Sequence, residues 1–346
     1  MAYVAAKGGE EAISASIKYF FKFISDDPLI FLIDKIMSEG ALYTEELARH
    51  CLQICGSDPL VAGNYLRAQR TAYKRVGYAE LTSLEQFRIL RRISSAFKDI
   101  PYGQILGPTN DYILKILNGT WNQTIQDDPK IKTTQLVQVE NVPSGVEVVR
   151  QMGLLIPLEA KETKPFDITR KHPQPPYPRS AALQIMARGE TGGMLLLAYT
   201  SMRGYGDVHP TIGDLRIGFL GVYFKHPLTE KKVKIGEIRA TSCEVMGVSK
   251  TKNTLKFTSG YGFCFGFNET KAISMAILDN ALNFPAYTVG ERSIASNPEI
   301  VLEHIDSIES LGFCNHYKLP HYVTFMADLN VMKTNPTQKD TSNENL

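Results

Sequence analysis

Apolar residues recur at every third or fourth position along much of the first hundred residues. Between Pro28 and about Ser94 this spacing predicts a succession of helices, most clearly over Leu29–Met37. Thr82–Glu85 has the pattern of a capping box, which predicts a further helix from about residue 84 to residue 94. We therefore expect a mainly helical N-terminal domain.

The second half of the chain alternates between strand and helix patterns. Apolar runs predict three strands, the last two as an antiparallel pair: Leu215–Phe224, Lys234–Val248 and Thr254–Phe267. Helices are expected over Arg179–Arg188 and after Asn268, whose side chain is suited to capping a helix. Gly192–Met202 fits either an apolar helix or a buried strand. The predicted class is α+β, a helical N-terminal domain followed by a mixed α/β domain with antiparallel strands.

A change in composition between the two halves predicts the domain organisation. The 346 residues suffice for about two domains. We expect a helical domain over 1–125, an extended proline-rich connector over 126–180, a mixed α/β domain over 181–333 and a disordered polar tail over 334–346. The proline run His172–Pro178 is interpreted as a spacer, with an arm that grips a partner subunit as the alternative.

Charge and hydropathy argue against two classes of protein. Lys and Arg number 38 and Asp and Glu 36, without a long basic block, so general nucleic-acid binding is not expected. Local clusters of cations over 67–75 and 88–92 are compatible with a phosphorylated small molecule or with solvated helix faces. No apolar run approaches the roughly twenty residues that span a bilayer, and the first residues lack a signal-peptide pattern. The prediction is a cytoplasmic protein without a membrane partner.

The five cysteines include no C-x-x-C pair, which fits a reducing compartment better than a disulfide framework. Cys51 and Cys55 are four positions apart and therefore share one helical face. Such a pair indicates buried packing rather than a metal site.

The segment Arg203–Gly218 concentrates chemically active side chains in a glycine-rich stretch. These candidates are Arg203, Asp207, His209, Asp214 and Arg216. The residue types suit anion binding, proton transfer and carboxylate chemistry. Interpreted as a loop, the segment is either a binding site or a turn-rich connection whose charges are solvated, and the residues alone support both hypotheses about equally.

A second glycine-containing segment lies near the N-terminus. Lys7, Gly8 and Gly9 follow a possible short strand over residues 3–6 and precede an expected helix. Free N–H groups at such a helix start can hold a phosphate. The complete phosphate-binding loop pattern is missing, so phosphate binding is the less favoured interpretation.

Blocks of residues along nearly the whole chain resemble one family. They are Tyr3–Glu10, Arg91–Ser94, Phe97–Asp99, Gly107–Thr109, Arg188–Gly192, Arg203–Gly218, Gly236–Arg239, Gly260–Gly262, Asn268–Ile273 and Lys318–Val323. In this order they resemble the PhnI subunit family of the bacterial carbon–phosphorus lyase core complex.

The resemblance implies a transferase that works with PhnG, PhnH and PhnL. The family replaces the adenine of ATP by methylphosphonate, giving alpha-D-ribose 1-methylphosphonate 5-triphosphate, and alone resembles a purine nucleosidase acting on ATP or GTP. Radical cleavage of the carbon–phosphorus bond belongs to PhnJ. A homodimer within the larger complex is expected. The alternative is a non-catalytic scaffold and phosphate-binding subunit that completes an active site on partner subunits.

Displacing a purine from C1′ passes through an oxocarbenium-like transition state, which requires a facing carboxylate and an acid for the leaving base. The carboxylate candidates are Asp207 and Asp214, with Glu190 and Glu269 behind them, and His209 is the leading acid. The expected ATP-binding residues are Lys7, Gly8, Gly9, Arg203, Arg216 and Lys271. For Lys7, Arg203 and Arg216 a buried ion pair is the alternative role.

His316 and His321 match paired histidines that the resemblance identifies as zinc ligands at the contact with PhnJ. Tetrahedral zinc takes four ligands, so water, substrate or a partner chain has to supply the others. Pro320 predicts that the pair lies on an extended loop rather than on one helix. Without the resemblance, both would be ordinary surface histidines.

Overall fold

The computed structural model describes residues 9–117, 141–158, 164–201, 209–250, 255–285 and 293–334. It confirms the α+β class. The helices are α1 (Gly9–Asp26), α2 (Ile30–Gly40), α3 (Glu45–Ile54), α4 (Pro59–Arg70), α5 (Ile113–Leu117), α6 (Glu147–Gln151), α7 (Arg179–Arg188), α8 (Thr191–Thr200), α9 (Glu269–Asn283), α10 (Pro298–His304), α11 (Ser307–Tyr317) and α12 (Tyr322–Thr334). The strands are β1 (Arg88–Ile93), β2 (Thr211–Lys225), β3 (Lys232–Lys250) and β4 (Leu255–Phe265).

The chain divides into two compact units, Met1–Ile308 and Glu309–Leu346. The first contains the sheet, and the second contains α12 and most of α11. None of the helices in the described ranges combines the length and apolar character needed to cross a bilayer. Strand β1, from the predicted N-terminal domain, pairs with β2 of the predicted second domain. The four-part domain division stays a prediction.

The four strands form one antiparallel sheet in the order β1-β2-β3-β4. The three predicted strands are confirmed, and the last two pair as expected. Strand β2 begins at Thr211, so the later part of Arg203–Gly218 is strand rather than loop. Leu215 and Ile217 point to one face there, and Asp214 and Arg216 to the other, because strand side chains alternate.

The helix predicted over residues 84–94 is wrong. Ser83 Oγ accepts a hydrogen bond from Glu85 N, but the cap opens only a short 3-10 turn, and β1 follows it. Arg91 and Arg92 of β1 are only 5% and 0% exposed, so a solvated helix face is excluded for these two cations. The two arginines lie on opposite faces of the sheet, and each forms an ion pair with a carboxylate far away in the sequence.

Helices α7, α8 and α9 cover one face of the sheet. Their apolar side chains pack against Leu215, Cys243, Val245 and Cys264. Gly260 and Gly262 permit this approach, since an added Cβ would lie 2.0 Å from the carbonyl oxygen of Ala276 or 2.1 Å from that of Ala272. The predicted helix over Arg179–Arg188 and the Asn268 cap are both confirmed, and Gly192–Met202 is helical from Thr191 to Thr200.

The opposite face is covered by the turn before β1 and by the segment around α6. Ala240 packs in one cluster with Phe87, Ile89 and Val142, and Met246 packs in another with Val149. Helices α2, α3 and α4 form a separate apolar cluster of their own. Cys51 belongs to that cluster and Cys55 packs against it, which confirms the predicted buried packing, and all five cysteines are free thiols.

Candidate functional site

Two neighbouring arginines on β1 bind two of the predicted site residues, one on each face of the sheet. Arg91 binds Glu269 on the face that packs against α9, with 2.6 Å between Nε and Oε1. Arg92 binds Asp214 on the other face, with 2.8 Å between Nη2 and Oδ2. Since successive strand residues face opposite sides, these two predicted carboxylates belong to different environments.

Asp214, Arg92 and Arg216 form what we call the Asp214 cluster. The Asp214 carboxylate accepts hydrogen bonds from Nε and Nη2 of both arginines, over 2.8–3.2 Å, and from Gly145 N at 2.8 Å. All three side chains are buried. Burial alone would raise the pKa of Asp214, but hydrogen bonds and charge from the two arginines outweigh it and lower the pKa. The cluster is a buried, ionised and fully partnered group.

Arg216 also holds backbone segments against the sheet. Its guanidinium donates to the carbonyl oxygens of Leu84, Val142 and Pro143 at 3.2, 2.7 and 2.7 Å. Together with the bonds to Asp214, these contacts engage Nε, Nη1 and Nη2 of Arg216 with partners inside the protein. The environment is that of a structural ion pair, one of the two roles expected for this residue; its assignment to ATP binding stays a prediction.

On the α9 face, the N-termini of α8 and α9 meet. Glu190 caps α8 by accepting from Gly192 N and Gly193 N at 2.8 and 2.7 Å, and Asn268 caps α9 by accepting from Lys271 N at 3.0 Å. Asn268 Nδ2 also donates to Thr191 Oγ1 at 3.1 Å, which joins the two helix starts. Two partial positive charges therefore converge at one point.

A cleft of about 240 Å³ opens beside this junction, and we call it the carboxylate cleft. Its lining residues are Phe31, Lys35, Thr109, Asn110, Asp111, Thr191, Ile217, Phe267, Asn268, Glu269 and Thr270. Glu269 is held there by Arg91 and by Thr109 Oγ1, which donates to Oε2 at 2.6 Å. Both oxygens of this carboxylate have one donor each, so each retains a lone pair for a further partner.

Helix α2 supplies the polar groups behind the junction. Thr191 donates to Glu39 Oε1 through its backbone N at 2.9 Å and its Oγ1 at 2.6 Å. Lys35 Nζ lies 3.5 Å from Glu190 Oε1 and 3.9 Å from Glu39 Oε1. Lys271, fully buried at the start of α9, donates from Nζ to Ser38 Oγ at 2.8 Å.

Burial and local partners set the charge of these groups. Burial alone would raise the pKa of Glu190, but the amides of Gly192 and Gly193, with Lys35, lower it. For Glu39 the burial prevails over the nearby lysines and Thr191, and the pKa is raised. Burial lowers the pKa of Lys271. The shifts of Glu39 and Lys271 both favour their uncharged forms, as expected for groups removed from water.

The remaining predicted residues are distributed elsewhere. His209 precedes β2 on the surface, where its Nδ1 lies 3.0 Å from Pro210 O. Gly9 begins α1. Lys7, Gly8, Arg203 and Asp207 lie outside the described residues. Of the predicted site residues, the structure thus brings together Glu190, Glu269 and Lys271 around one junction.

His316 and His321 lie close together in the unit Glu309–Leu346, with 3.3 Å between their Nε2 atoms. His316 is in the last turn of α11, and His321 directly precedes α12, so the expectation of a shared extended loop is wrong for His316. Both are exposed. His321 Nδ1 lies 2.6 Å from Leu319 O, which favours a proton on Nδ1 and leaves Nε2 as a lone-pair donor.

Two zinc-bound nitrogens at about 2.0–2.1 Å from a tetrahedral ion are about 3.3–3.4 Å apart. The separation of the two Nε2 atoms therefore fits neighbouring ligands of one metal ion. Within the described residues no group of three or more His, Cys, Asp or Glu side chains forms a larger ligand set. Any zinc bound by the pair needs ligands from elsewhere.

Sequence reasoning missed the contribution of α2. Asp34 accepts bonds from Arg239 and from Phe267 N, while Lys35, Ser38 and Glu39 reach the two helix starts. A signal was present, since these four polar residues interrupt an otherwise apolar helix. Polar residues on a helix that must be buried need partners, and such residues are informative.

The carboxylate cleft combines the carboxylates of Asp111 and Glu269, three threonines, one lysine and two helix N-termini. Carboxylates and hydroxyls can bind sugar hydroxyl groups or stabilise positive charge on a sugar ring. The helix starts and Lys35 favour a nearby anion. A ligand carrying both a sugar and an acidic group fits this set of donors and acceptors.

The comparisons with known proteins agree across the chain. Residues 2–339 match the family described as "Bacterial phosphonate metabolism protein (PhnI)". The chain is 41% identical to the "Putative C-P lyase subunit protein HtxH" of Stutzerimonas stutzeri, with 96% of each protein covered. It is 36% identical to the "Alpha-D-ribose 1-methylphosphonate 5-triphosphate synthase subunit PhnI" of Escherichia coli (strain K12), covering 96% of this chain and 97% of that one. The Rhizobium meliloti (strain 1021) protein of the same name is 33% identical, with 96% and 94% covered. The chain belongs to the PhnI family of bacterial phosphonate metabolism proteins.

Proposed function

We propose that this chain is the PhnI-type subunit of a carbon–phosphorus lyase complex and a transferase acting on ATP. A methylphosphonate oxygen bonds to ribose C1′, the bond from C1′ to the adenine nitrogen breaks, and a proton is delivered to the departing base. The product is alpha-D-ribose 1-methylphosphonate 5-triphosphate, the compound after which two relatives are named. Without methylphosphonate, water takes its place and the chain acts as a purine nucleosidase on ATP or GTP.

The observation that carries this proposal is Glu269 in the carboxylate cleft. Arg91 and Thr109 fix the orientation of its carboxylate, which faces a cleft lined by Lys35 and by the starts of two helices. A fixed carboxylate beside C1′ would stabilise the positive charge that develops as the base departs. Glu269 is therefore our first choice for the facing carboxylate.

The other predicted residues take supporting roles in this scheme. Glu190 pairs with Lys35 and caps α8, which positions that lysine for an anionic group. Lys271 supports the start of α9 from inside. His209 is proposed as the acid for the base, and Asp207 as a further carboxylate. Lys7, Gly8, Gly9, Arg203 and Arg216 remain proposed ATP contacts. Asp214 stays a lower-ranked catalytic candidate, because its carboxylate is buried and partnered.

We further propose that His316 and His321 bind one zinc ion where the subunit meets PhnJ. The proposal rests on the 3.3 Å between the Nε2 atoms and on the exposure of both rings. A zinc ion there would act as a Lewis acid or as a structural link. PhnG, PhnH and PhnL are the other proposed partners, with two copies of this chain in the complex.

A scaffold role is the second candidate, and the unit Glu309–Leu346 favours it. None of the residues of α12 is buried, and large apolar side chains are exposed there, including Phe325 and Met332. Exposed apolar patches of this kind mark protein–protein contacts. In that case partner subunits complete the active site, and the chain mainly positions them.

The test is release of adenine from ATP by the purified chain, measured by chromatography. We expect release by the chain alone, and formation of the ribose methylphosphonate product when PhnG, PhnH, PhnL and methylphosphonate are added. Activity that appears only on assembly supports the scaffold role. Absence of adenine release and of product in both preparations would overturn the catalytic proposal.

Zinc is tested separately on the assembled complex. Elemental analysis of the complex with H316A and H321A in this chain is expected to show one zinc fewer per copy than the unaltered complex. H304A, an exposed histidine in α10, is the matched control. Equal zinc content in the double variant and the control would remove the metal assignment.

A further inference from the structure

A larger cleft lies where the segment following α4 runs past the far end of the β2–β3 hairpin. Its volume is about 840 Å³, and Glu80 N anchors the segment by donating to Tyr223 O at 2.8 Å. Four of the side chains that line it are cationic: Arg70, Lys74, Arg75 and Arg170. None of the described lining residues is acidic. We call this region the electropositive cleft.

The cations of this cleft are only partly neutralised. Arg75 and Arg170 both approach Asp167, at 2.8 and 3.6 Å. In the part of the chain that the structure describes, neither the Arg70 guanidinium nor the Lys74 ammonium has a carboxylate within ion-pair distance. The cleft therefore has excess positive charge, which an anionic ligand would balance.

Arg70 is partly buried near three other arginines. Burial, together with repulsion from Arg188, Arg75 and Arg67, lowers its pKa. The guanidinium still stays charged, because it is strongly basic and its charge is delocalised. A phosphate group bound between these cations would offset the repulsion, and the Arg70 guanidinium could bind two of its oxygens at once.

Aromatic rings lie beside the cations. Tyr73 and Tyr78 are 62% and 60% exposed, and Phe224 of β2 completes the set. The Arg75 guanidinium carbon lies 5.2 Å from the centre of the Tyr78 ring. Exposed rings next to arginine and lysine are suited to stacking a heterocyclic base while the cations bind its phosphates.

Size and position separate this cleft from the carboxylate cleft. A volume of about 840 Å³ falls within the range of roughly 300–1,000 Å³ that holds small-molecule ligands. Ile217 lines the carboxylate cleft and Phe224 lines the electropositive cleft, seven positions along β2. At about 3.3 Å per residue the two points are about 23 Å apart. One nucleotide cannot stack on Phe224 and place its sugar at Glu269.

We propose that the electropositive cleft is a second, separate binding site for a nucleotide carrying two or more phosphates. Arg70 and Lys74 bind the phosphates, and Tyr73 and Tyr78 provide the surface for the base. The site is additional to the one in which ATP is the proposed substrate. Binding there brings a nucleotide to the β2–β3 hairpin without involving Glu269.

The experiment is calorimetric titration of the purified full-length chain with ATP, ADP, tripolyphosphate and adenosine. R70Q/K74Q is expected to weaken ATP binding at one class of site by about a hundredfold, roughly tenfold for each lost charge-assisted contact. K98Q/K256Q removes two exposed cations outside the cleft and is the matched control. Y73A, which loses a largely exposed ring, is expected to weaken ATP binding about tenfold and leave tripolyphosphate binding unchanged.

Several results would overturn the proposal. One is equal affinity of R70Q/K74Q and the control for ATP. Another is tripolyphosphate binding as tightly as ATP with no effect of Y73A, which would indicate a site for polyanions only. A single-stranded oligonucleotide that binds far more tightly than ATP would instead indicate a nucleic-acid surface.

The outcome is independent of the proposed catalytic function. Binding is measured directly, and K35Q addresses the carboxylate cleft in the same titration. If K35Q removes all ATP binding and R70Q/K74Q removes none, the second site is excluded while the transferase proposal stands. If adenine release fails in every preparation but R70Q/K74Q still weakens binding, the second site stands and the transferase proposal fails.

Discussion

The Asp214 cluster and the carboxylate cleft use the same kinds of side chain for different ends. In both, a carboxylate is held by an arginine of β1, Arg92 for Asp214 and Arg91 for Glu269. Asp214 is 2% exposed and enclosed by two arginines and a backbone amide, so burial keeps its carboxylate from a ligand. Glu269 instead borders a cleft and has one donor on each oxygen.

The difference shows that residue type does not decide between structure and chemistry. A fully partnered buried ion contributes by holding segments together, and removing one member leaves the other charges unpaired. A carboxylate that is oriented but open can meet a developing charge without reorganising. The two regions differ in whether the carboxylate is still accessible to a ligand once its partners within the protein have bound it.

The largest effect is expected for the Asp214 cluster. D214A leaves Arg92 and Arg216 buried without a carboxylate, so we expect a loss of about 3–5 kcal/mol in the free energy of unfolding. Denaturant unfolding followed by circular dichroism measures it. An unaltered unfolding midpoint for D214A would show that the cluster does not hold the sheet together.

Glu269 is expected to affect activity more than stability. The amide oxygen of E269Q can still accept from Arg91, and its NH2 group can donate to the Thr109 hydroxyl, but the side chain lacks the negative charge. We expect adenine release to fall about 10²- to 10³-fold, with a loss of about 1–3 kcal/mol in the free energy of unfolding, because Arg91 keeps a hydrogen bond but loses its charge partner. E299Q alters a carboxylate in the first turn of α10 and serves as the control. Full activity of E269Q would remove this residue as the facing carboxylate.

Thr191 tests whether the groups behind the carboxylate cleft are structural. T191V keeps the shape but removes the hydroxyl, which donates to Glu39 and accepts from Asn268. A loss of about 1–3 kcal/mol is expected, since the buried Glu39 and the partly buried Asn268 each lose a partner. T200V, at the end of α8, removes a hydroxyl that donates to the Leu197 carbonyl of its own helix and should cost less. Equal losses in the two variants would argue against a coupled network.

The response to acid is expected to have opposite signs in the two regions. The pKa of Asp214 is lowered from 3.8, so its stabilisation is complete above that value and is lost as pH falls through the folded-state pKa. The pKa of Glu39 is raised from 4.5, so its folded-state cost disappears as pH falls through that raised pKa towards 4.5.

Melting temperatures measured from about pH 7 to about pH 3 would report both effects. D214N should reduce the loss of stability on acidification, and E39Q should remove a gain at the higher-pH end of the range. If the melting temperatures of D214N and E39Q depended on pH in the same way, the opposite pKa shifts of Asp214 and Glu39 would be contradicted. The expected differences are the smallest of this series.

Local sequence patterns were sufficient for most elements but not for β1. The strands β2 to β4 and the helix after Asn268 followed from apolar spacing and from a cap within a few residues. Residues 84–94 fit a helix locally, because the Thr82–Glu85 pattern resembles a cap and apolar residues follow at helical spacing. Arg88 pairs with Glu237, 149 positions away, and such partners are invisible to a local pattern.

The sequence by itself determined the family and the α+β class, and it predicted Glu190, Glu269 and Lys271, which the structure places around the junction of α8 and α9. These follow from contiguous blocks and from short-range periodicity. Only the tertiary structure decided that Asp214 and Glu269 lie on opposite faces, that α2 supplies Lys35 and Glu39, and that cations gather at the electropositive cleft. The physical reason is that burial and ion pairing depend on contacts between residues far apart in the chain, whereas propensity and capping depend on near neighbours.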